Sequence, residues 1–248
     1  MTLVARRSLL VAAGIAALVV GLVVSFPARL ALSWFAPPQV SAWGVDGTIW
    51  SGRATEIAYR GSSLGSLGWD ARLAPFLVLR PTWELELRRA DGFATLQFGT
   101  SLSGRRQAFR DVEAALVLET LPPAIVPEGT AGQLSLSLPR LDLERGWPTA
   151  AAGRIAVADL KLPGVIMALG PFQFLFQDQS GPPVAEVRSL GGPLFVEGRL
   201  ELPARQQWLF DAELAPGESP PRELVDGLAL VGEDLGNGRR RLTLNSGH

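Results

Sequence analysis

The sequence predicts a mainly β fold: a single N-terminal transmembrane helix, then a curved antiparallel β-sheet domain carrying one or more short helices. Three observations predict it. A charge-free apolar run lies near the N-terminus, apolar and polar residues alternate with period two through most of the remaining chain, and Gly, Pro and Asp punctuate that alternation at short intervals. Composition agrees. Of 248 residues, 47% are hydrophobic and 19% charged, which is too apolar for a disordered chain and enough for a substantial core.

The first element is "LLVAAGIAALVVGLVVSF", Leu9 to Phe26, near the lower length limit for a helix that spans a bilayer. Leu9, Val11, Ile15, Val19, Leu22 and Val23 are its candidate membrane-anchor residues. Arg6 and Arg7, with the amino terminus, outweigh the single Arg29 behind the run. That bias leaves the N-terminus in the cytoplasm and the remainder outside, in the periplasm of a bacterial inner-membrane protein. A cleaved signal peptide is the competing reading. It calls for an apolar core of about 7–15 residues and a small-x-small cleavage site, and "PARLALSW" offers no clear one. Ala13, Ala17 and Gly21 recur every four residues, a face on which a second helix can approach closely. The general abundance of alanine and glycine explains the same spacing. The division expected is 1–8 cytoplasmic, 9–26 transmembrane, 27–43 a juxtamembrane spacer and 44–248 a periplasmic β-rich domain.

Beyond the spacer, "TWELELRR" puts Trp83, Leu85 and Leu87 on one face and Glu84, Glu86 and Arg88 on the other. "DVEAALVLE" aligns Val112, Ala114, Leu116 and Leu118; "QLSLSLPRLDL" aligns Leu134, Leu136 and Leu138, with a break at Pro139 before Leu141 and Leu143. Phe172, Phe174 and Phe176 form a stripe, as do Leu194, Val196, Leu200 and Leu202, and then Trp208, Phe210, Ala212 and Leu214. These read as half-buried strands with one wet face, the habit of antiparallel sheets. "LGNGRR" predicts a tight hairpin before a last strand ending at Leu244. Helix is scarce. Ala74 to Pro81 and Leu121 to Pro127 each have room for a turn or two; "PPRELVDGLALVG" is the best helix, with Leu224, Val225, Leu228 and Val231 on one face. The order of a tryptophan strand, a short helical piece and a strand pair occurs twice, led by Trp69 and by Trp208. It is either an internal duplication or a coincidence of a repetitive β chain.

Chemistry is mostly excluded. The chain has no cysteine, and its one histidine is the last residue, His248, so thiol, disulfide and histidine-based sites fall away together. "GSSLG", Gly61 to Gly65, matches a nucleophile-elbow pattern around Ser63, but strand-like sequence flanks it and a polar turn explains it better. No metal, dinucleotide or phosphate-loop spacing is present, and no cofactor is expected. With a net charge of −1 and no basic block, nothing points to nucleic acid. The expectation is a protein that is not an enzyme.

"DGTIWSGRA", Asp46 to Ala54, sets a tryptophan near two glycines. Read as a strand, neither of its faces is cleanly polar. A bulge at Gly52 accounts for the switch, with Trp50 capping the sheet on its apolar side. Bent-sheet architecture is favoured over a ligand clamp.

Three blocks together resemble the type II secretion system protein N family. "GVDGTIWSGRA" is similar to its G-x-[IL]-W-x-G segment, "LGWDARLAPFLVLRPTWELEL" to its tryptophan–proline–leucine block, and "FVEGRLELPARQQWLFDAEL" with "LGNGRRRLTLNSG" to its closing segments. Gly47, Trp50, Gly52, Trp69, Gly198 and Trp208 carry the resemblance. It implies a non-catalytic inner-membrane accessory of the secretion machine, contacting other inner-membrane components or the periplasmic part of the outer-membrane secretin. A second reading, from the residues alone, is a periplasmic lipid-binding or lipid-transfer protein whose Leu and Phe stripes line an apolar groove.

Overall fold

The computed structural model describes residues 3–72, 82–101, 103–165, 167–179 and 181–246, with side chains from Ala13 onward except at 16 and 35. Ala74 to Pro81, expected to hold a helical turn, lies outside the described residues. So do His248 and the side chains of Leu9 and Val11.

The chain opens with a continuous 22-residue helix, α1 (Leu3–Val24), followed by α2 (Ala28–Phe35). Among the described residues, fourteen strands then form one antiparallel sheet. The first eight keep sequence order: β1 (Val40–Gly47), β2 (Ser51–Tyr59), β3 (Ser62–Arg72), β4 (Thr82–Arg89), β5 (Gly92–Thr100), β6 (Arg106–Val117), β7 (Ala131–Glu144) and β8 (Trp147–Lys161). β9 (Phe172–Phe176), β10 (Val184–Ser189), β11 (Leu194–Ala204) and β12 (Gln207–Pro216) continue it. α3 (Arg222–Leu228) precedes β13 (Glu233–Gly236) and β14 (Arg239–Asn245), where the order inverts, so that β14 pairs with β12 and β13 forms the edge. At about 4.8 Å per strand the sheet measures roughly 60 Å from first strand to last.

The stretch read as a spacer contains α2 and the start of β1. The tight hairpin falls on Asn237 and Gly238, both at positive φ, the backbone that a two-residue type I′ turn requires. The tryptophan-led order of elements does occur twice in sequence. Its topology differs, because β4 pairs with β3 whereas β13 stands one strand away from β12.

The strands form because their side chains sort by face. Register pairs directly opposite each other share a face. They link Val45, Ala54, Leu67, Leu87, Ala94 and Ala114, then Leu136, Ile155, Phe174, Val187, Gly198, Ala212 and Leu242, in one unbroken transverse row from β1 to β14. Two buried clusters lie on this face. Val112, Leu138, Ala151, Phe176 and Ala185 form one; Leu169, Phe172, Val187, Val196, Ala212, Leu214 and Leu228 form the other. α3 packs against β12 and α2 against β1; among the described residues, no second sheet covers the row. The opposite face carries ion pairs, among them Arg72–Glu84, Arg110–Asp142, Arg140–Asp178, Arg188–Glu186 and Arg241–Asp211. The register shifts at Pro139 and between Ala54 and Ile57, and such bulges bend a strand and tighten its twist.

Candidate functional site

The join between α1 and the sheet gathers three indole N–H groups onto backbone carbonyls. Ile49 and Trp50 form the turn between β1 and β2, a position that exposes backbone groups on all sides. Three indoles satisfy carbonyls around it. Trp50 Nε1–H donates to the Val23 carbonyl in the last turn of α1 at 2.8 Å, Trp69 Nε1–H to Thr48 at 2.9 Å, and Trp83 Nε1–H to Ile49 at 3.1 Å. The Ile49 amide donates to Phe26 at 3.1 Å, and the Thr48 hydroxyl accepts from the amides of Trp50 and Ser51. A helix end leaves its last carbonyls without intrahelical partners, so Trp50 gives α1 a partner taken from the sheet. Each such hydrogen bond contributes about 1 kcal/mol net, and the indoles add apolar contact area to that.

Glycine makes the approach possible. A Cβ on Gly52 would overlap the Asp46 carbonyl and the Trp69 ring; one on Gly47, which sits at φ +98°, would overlap Ser51. Gly52 pairs in register with both Gly47 and Trp69. The bulge expected at Gly52 therefore lies two to five residues later, between Ala54 and Ile57, and Trp50 stands in the turn and not on a strand. The physical reason is crowding. Gly52 is needed for the closeness of its neighbours and not for a strained angle.

Of the residues that carry the family resemblance, Gly47, Trp50, Gly52 and Trp69 come together in this join. Gly198 and Trp208 lie far across the sheet, on β11 and β12. There a Cβ at Gly198 would strike Asp211 and Ala212 of the paired strand, and Ser246 donates its amide to the Trp208 carbonyl at 3.0 Å. Trp83 and Thr48 complete the join without belonging to the sequence candidates; the available signal was that a half-buried indole needs an acceptor.

The remaining candidates are exposed. Ile15, Val19, Leu22 and Val23 of α1 lie open to the surroundings, as do Ala13, Ala17 and Gly21. Phe26 and Trp34 pack at a tilt near the exit of α1, 5.8 Å between centroids, and Trp34 is 66% exposed. Among the residues whose side chains are described, which in α1 begin at Ala13, no helix is long and apolar enough to cross a membrane. Ser63 lies on β3, two residues beyond a two-residue hairpin turn at Arg60 and Gly61, so it occupies no strand-to-helix elbow. Among the described residues, no cluster of three His, Asp or Glu side chains can hold a metal ion.

At the other end of the sheet, on the face of the transverse row, α3 overhangs an apolar groove of about 620 Å³. Val165, Met167, Leu169, Leu194, Leu214 and Leu228 are among its lining residues.

A helix bonded through one indole to a long antiparallel sheet defines, among the described residues, a mainly β protein with an N-terminal helix. A family model described as type II secretion system (T2SS), protein N matches residues 38–243, nearly the whole sheet. The chain belongs to the type II secretion system protein N family, and is thereby a component of a secretion machine. Type II secretion system protein N of Aeromonas hydrophila is 30% identical over 88% of this chain and 89% of that protein. The Vibrio cholerae protein of the same name is 27% identical over 90% and 91%, and that of Pectobacterium carotovorum 22% over 87% of each. No solved structure matches.

Proposed function

We propose that this protein is a non-catalytic inner-membrane accessory of the type II secretion system. One helix tethers it, and the sheet stands in the periplasm and works through protein–protein contacts with other inner-membrane components and the secretin. The observation that carries this reading is the family match over the sheet itself.

Several features support the tether. α1 has 22 residues, which at 1.5 Å per residue rise about 33 Å, close to the thickness of a bilayer's hydrocarbon core. The charge-free run from Leu9 to Phe26 supplies the apolar side chains, and Arg6 and Arg7 the cytoplasmic bias. Phe26, Trp34 and Trp50 gather where α1 ends, the place at which aromatic residues sit in a membrane interface. In this reading residues 1–8 are cytoplasmic, 9–26 cross the membrane, 27–43 lie at its surface and 44–248 are periplasmic. Ala13, Ala17 and Gly21 offer a face to a partner helix.

The β13 edge is blunted, with four residues, two of them acidic. Short, charged edges resist strand addition, which favours contact through a face of the sheet. The ion-paired face is the one a soluble protein partner fits. The test is in-cell photo-crosslinking from Glu113, Ser135 and Arg199, exposed positions on β6, β7 and β11. Adducts with other secretion components are expected; none from any of the three positions sinks the reading. N-terminal sequencing of membrane-extracted protein checks the tether, and a start past Phe26 rules it out.

The unbroken apolar row favours a second reading, lipid handling, because no second layer among the described residues covers it.

A further inference from the structure

We propose that the groove beneath α3 holds an acyl chain of an ammonium-headed phospholipid, such as phosphatidylethanolamine. The inference rests on the lipid-handling reading above and gives it a site.

The lining is hydrocarbon: valine, leucine and methionine from the segment after β8, from β11 and β12, and from one side of α3. A volume of about 620 Å³ is in the range of a small-molecule site, and it suits a flexible chain better than a planar polar ligand. The apolar surface also continues outward. Val165 of the lining is exposed, as are Leu162 and Val225 in the same two chain segments, and Leu230, just past α3, is 88% exposed. Isolated exposed leucines are ordinary, but a group of them around an apolar groove marks a binding surface. The transverse row reaches the same place, since Ala212 of the row lies two residues from the groove-lining Leu214 on one face of β12.

Charge selects the headgroup. Glu223 is the one charged residue in the lining, and it stands exposed in the first turn of α3. Among the described residues it makes no ion pair. Among the described residues, no arginine or lysine lines the groove. An anionic headgroup at this mouth would meet the Glu223 carboxylate, whereas an ammonium group gains a partner there.

Gly227 supplies the test. It lines the groove from α3, and a Cβ built on it meets nothing within 4 Å. Gly227→Leu therefore adds a branched side chain at the groove with no clash at its Cβ, and it raises helix propensity. The full chain is placed in vesicles containing phosphatidylethanolamine with a diazirine-bearing acyl chain, irradiated, and its adducts are mapped by mass spectrometry. Adducts are expected on 162–165, 167–169 and 221–231. Gly227→Leu should reduce these at least tenfold and leave adducts on 9–26 unchanged. Glu223→Gln should abolish the preference over phosphatidylglycerol carrying the same chain. Adducts confined to 9–26 in the unsubstituted protein would overturn both this site and the lipid-handling reading. Adducts on the sheet that Gly227→Leu leaves intact would overturn the site alone, and an unchanged preference in Glu223→Gln would overturn the headgroup assignment.

Discussion

Trp69 shows how much one side chain does here. Its ring fills the space that Gly52 leaves, and its N–H satisfies the carbonyl of Thr48, whose hydroxyl in turn caps the same tight turn. Gly52→Ala is expected to cost ~2 kcal/mol or more, because the added methyl strikes backbone on one side and an indole on the other. Urea unfolding followed by tryptophan fluorescence measures it, and a midpoint unchanged from the parent would contradict the crowding. Asp91 is a second informative residue. The Arg89 guanidinium hydrogen-bonds it at 2.9 Å and holds its carboxyl at about 2, below the ordinary 3.8. Arg89 also donates to the carbonyls of Ser63 and Thr120, joining two hairpin ends to a 3-10 turn at Leu118–Thr120. A depressed carboxylate stabilises the fold fully above its unfolded value, and that stabilisation is lost as pH falls through the folded one. The parent should therefore lose its stability advantage over Asp91→Asn between about pH 4 and pH 2. Unfolding of both at pH 7 and pH 3 checks this; a constant difference would contradict it.

Elements were legible where side chains alternate. The Leu134, Leu136, Leu138 stripe and its break at Pro139 correspond to β7 and its bulge, because burial of one face leaves a period-two signature. The longest strand, β8, leaves no such signature. "WPTAAAGRIAVADLK" is built from alanine, glycine and proline as much as from β-formers, and its pairing with β7 and β9 supplies what propensity does not. Gly153 in β8 explains part of that composition, since a Cβ there would overlap Ser137 and crowd Pro139 across the bulge. α2 is hidden in the sequence because its eight residues are too few for a helical period to register against the adjoining run. The join of α1 to the sheet was half legible. The glycine–tryptophan pattern was visible, but which carbonyls the indoles reach depends on pairings set by residues over twenty positions away. The faces make a direct test. Leu138→Ala, at a site 6% exposed, should cost about 2–4 kcal/mol, and the adjacent outward Ser137→Ala within about 0.5. Equal costs at the two positions would mean that the face assignment is wrong.

At the scale of the whole molecule, a single-layer sheet of fourteen strands has no central core to make it one cooperative unit. Each strand is held chiefly by its two neighbours, as in a repeat protein. Stability should then vary along the ribbon. β6, β7 and β8 are the longest consecutive strands, at 12, 14 and 15 residues, and they lie over a buried cluster. β13 has four residues, all exposed, and β1 is an end strand. Native-state hydrogen exchange on the full chain is expected to give slowest exchange in β6 to β8 and fastest in β13. The indole join matters most in this setting, because it secures the end strand to which α1 is attached. Trp69→Ala should raise exchange through β1, β2 and β3 and leave β7 and β8 unchanged. If that substitution speeds exchange in β7 as much as in β2, the ribbon unfolds as one body, and force on the helix would be felt equally along its whole length.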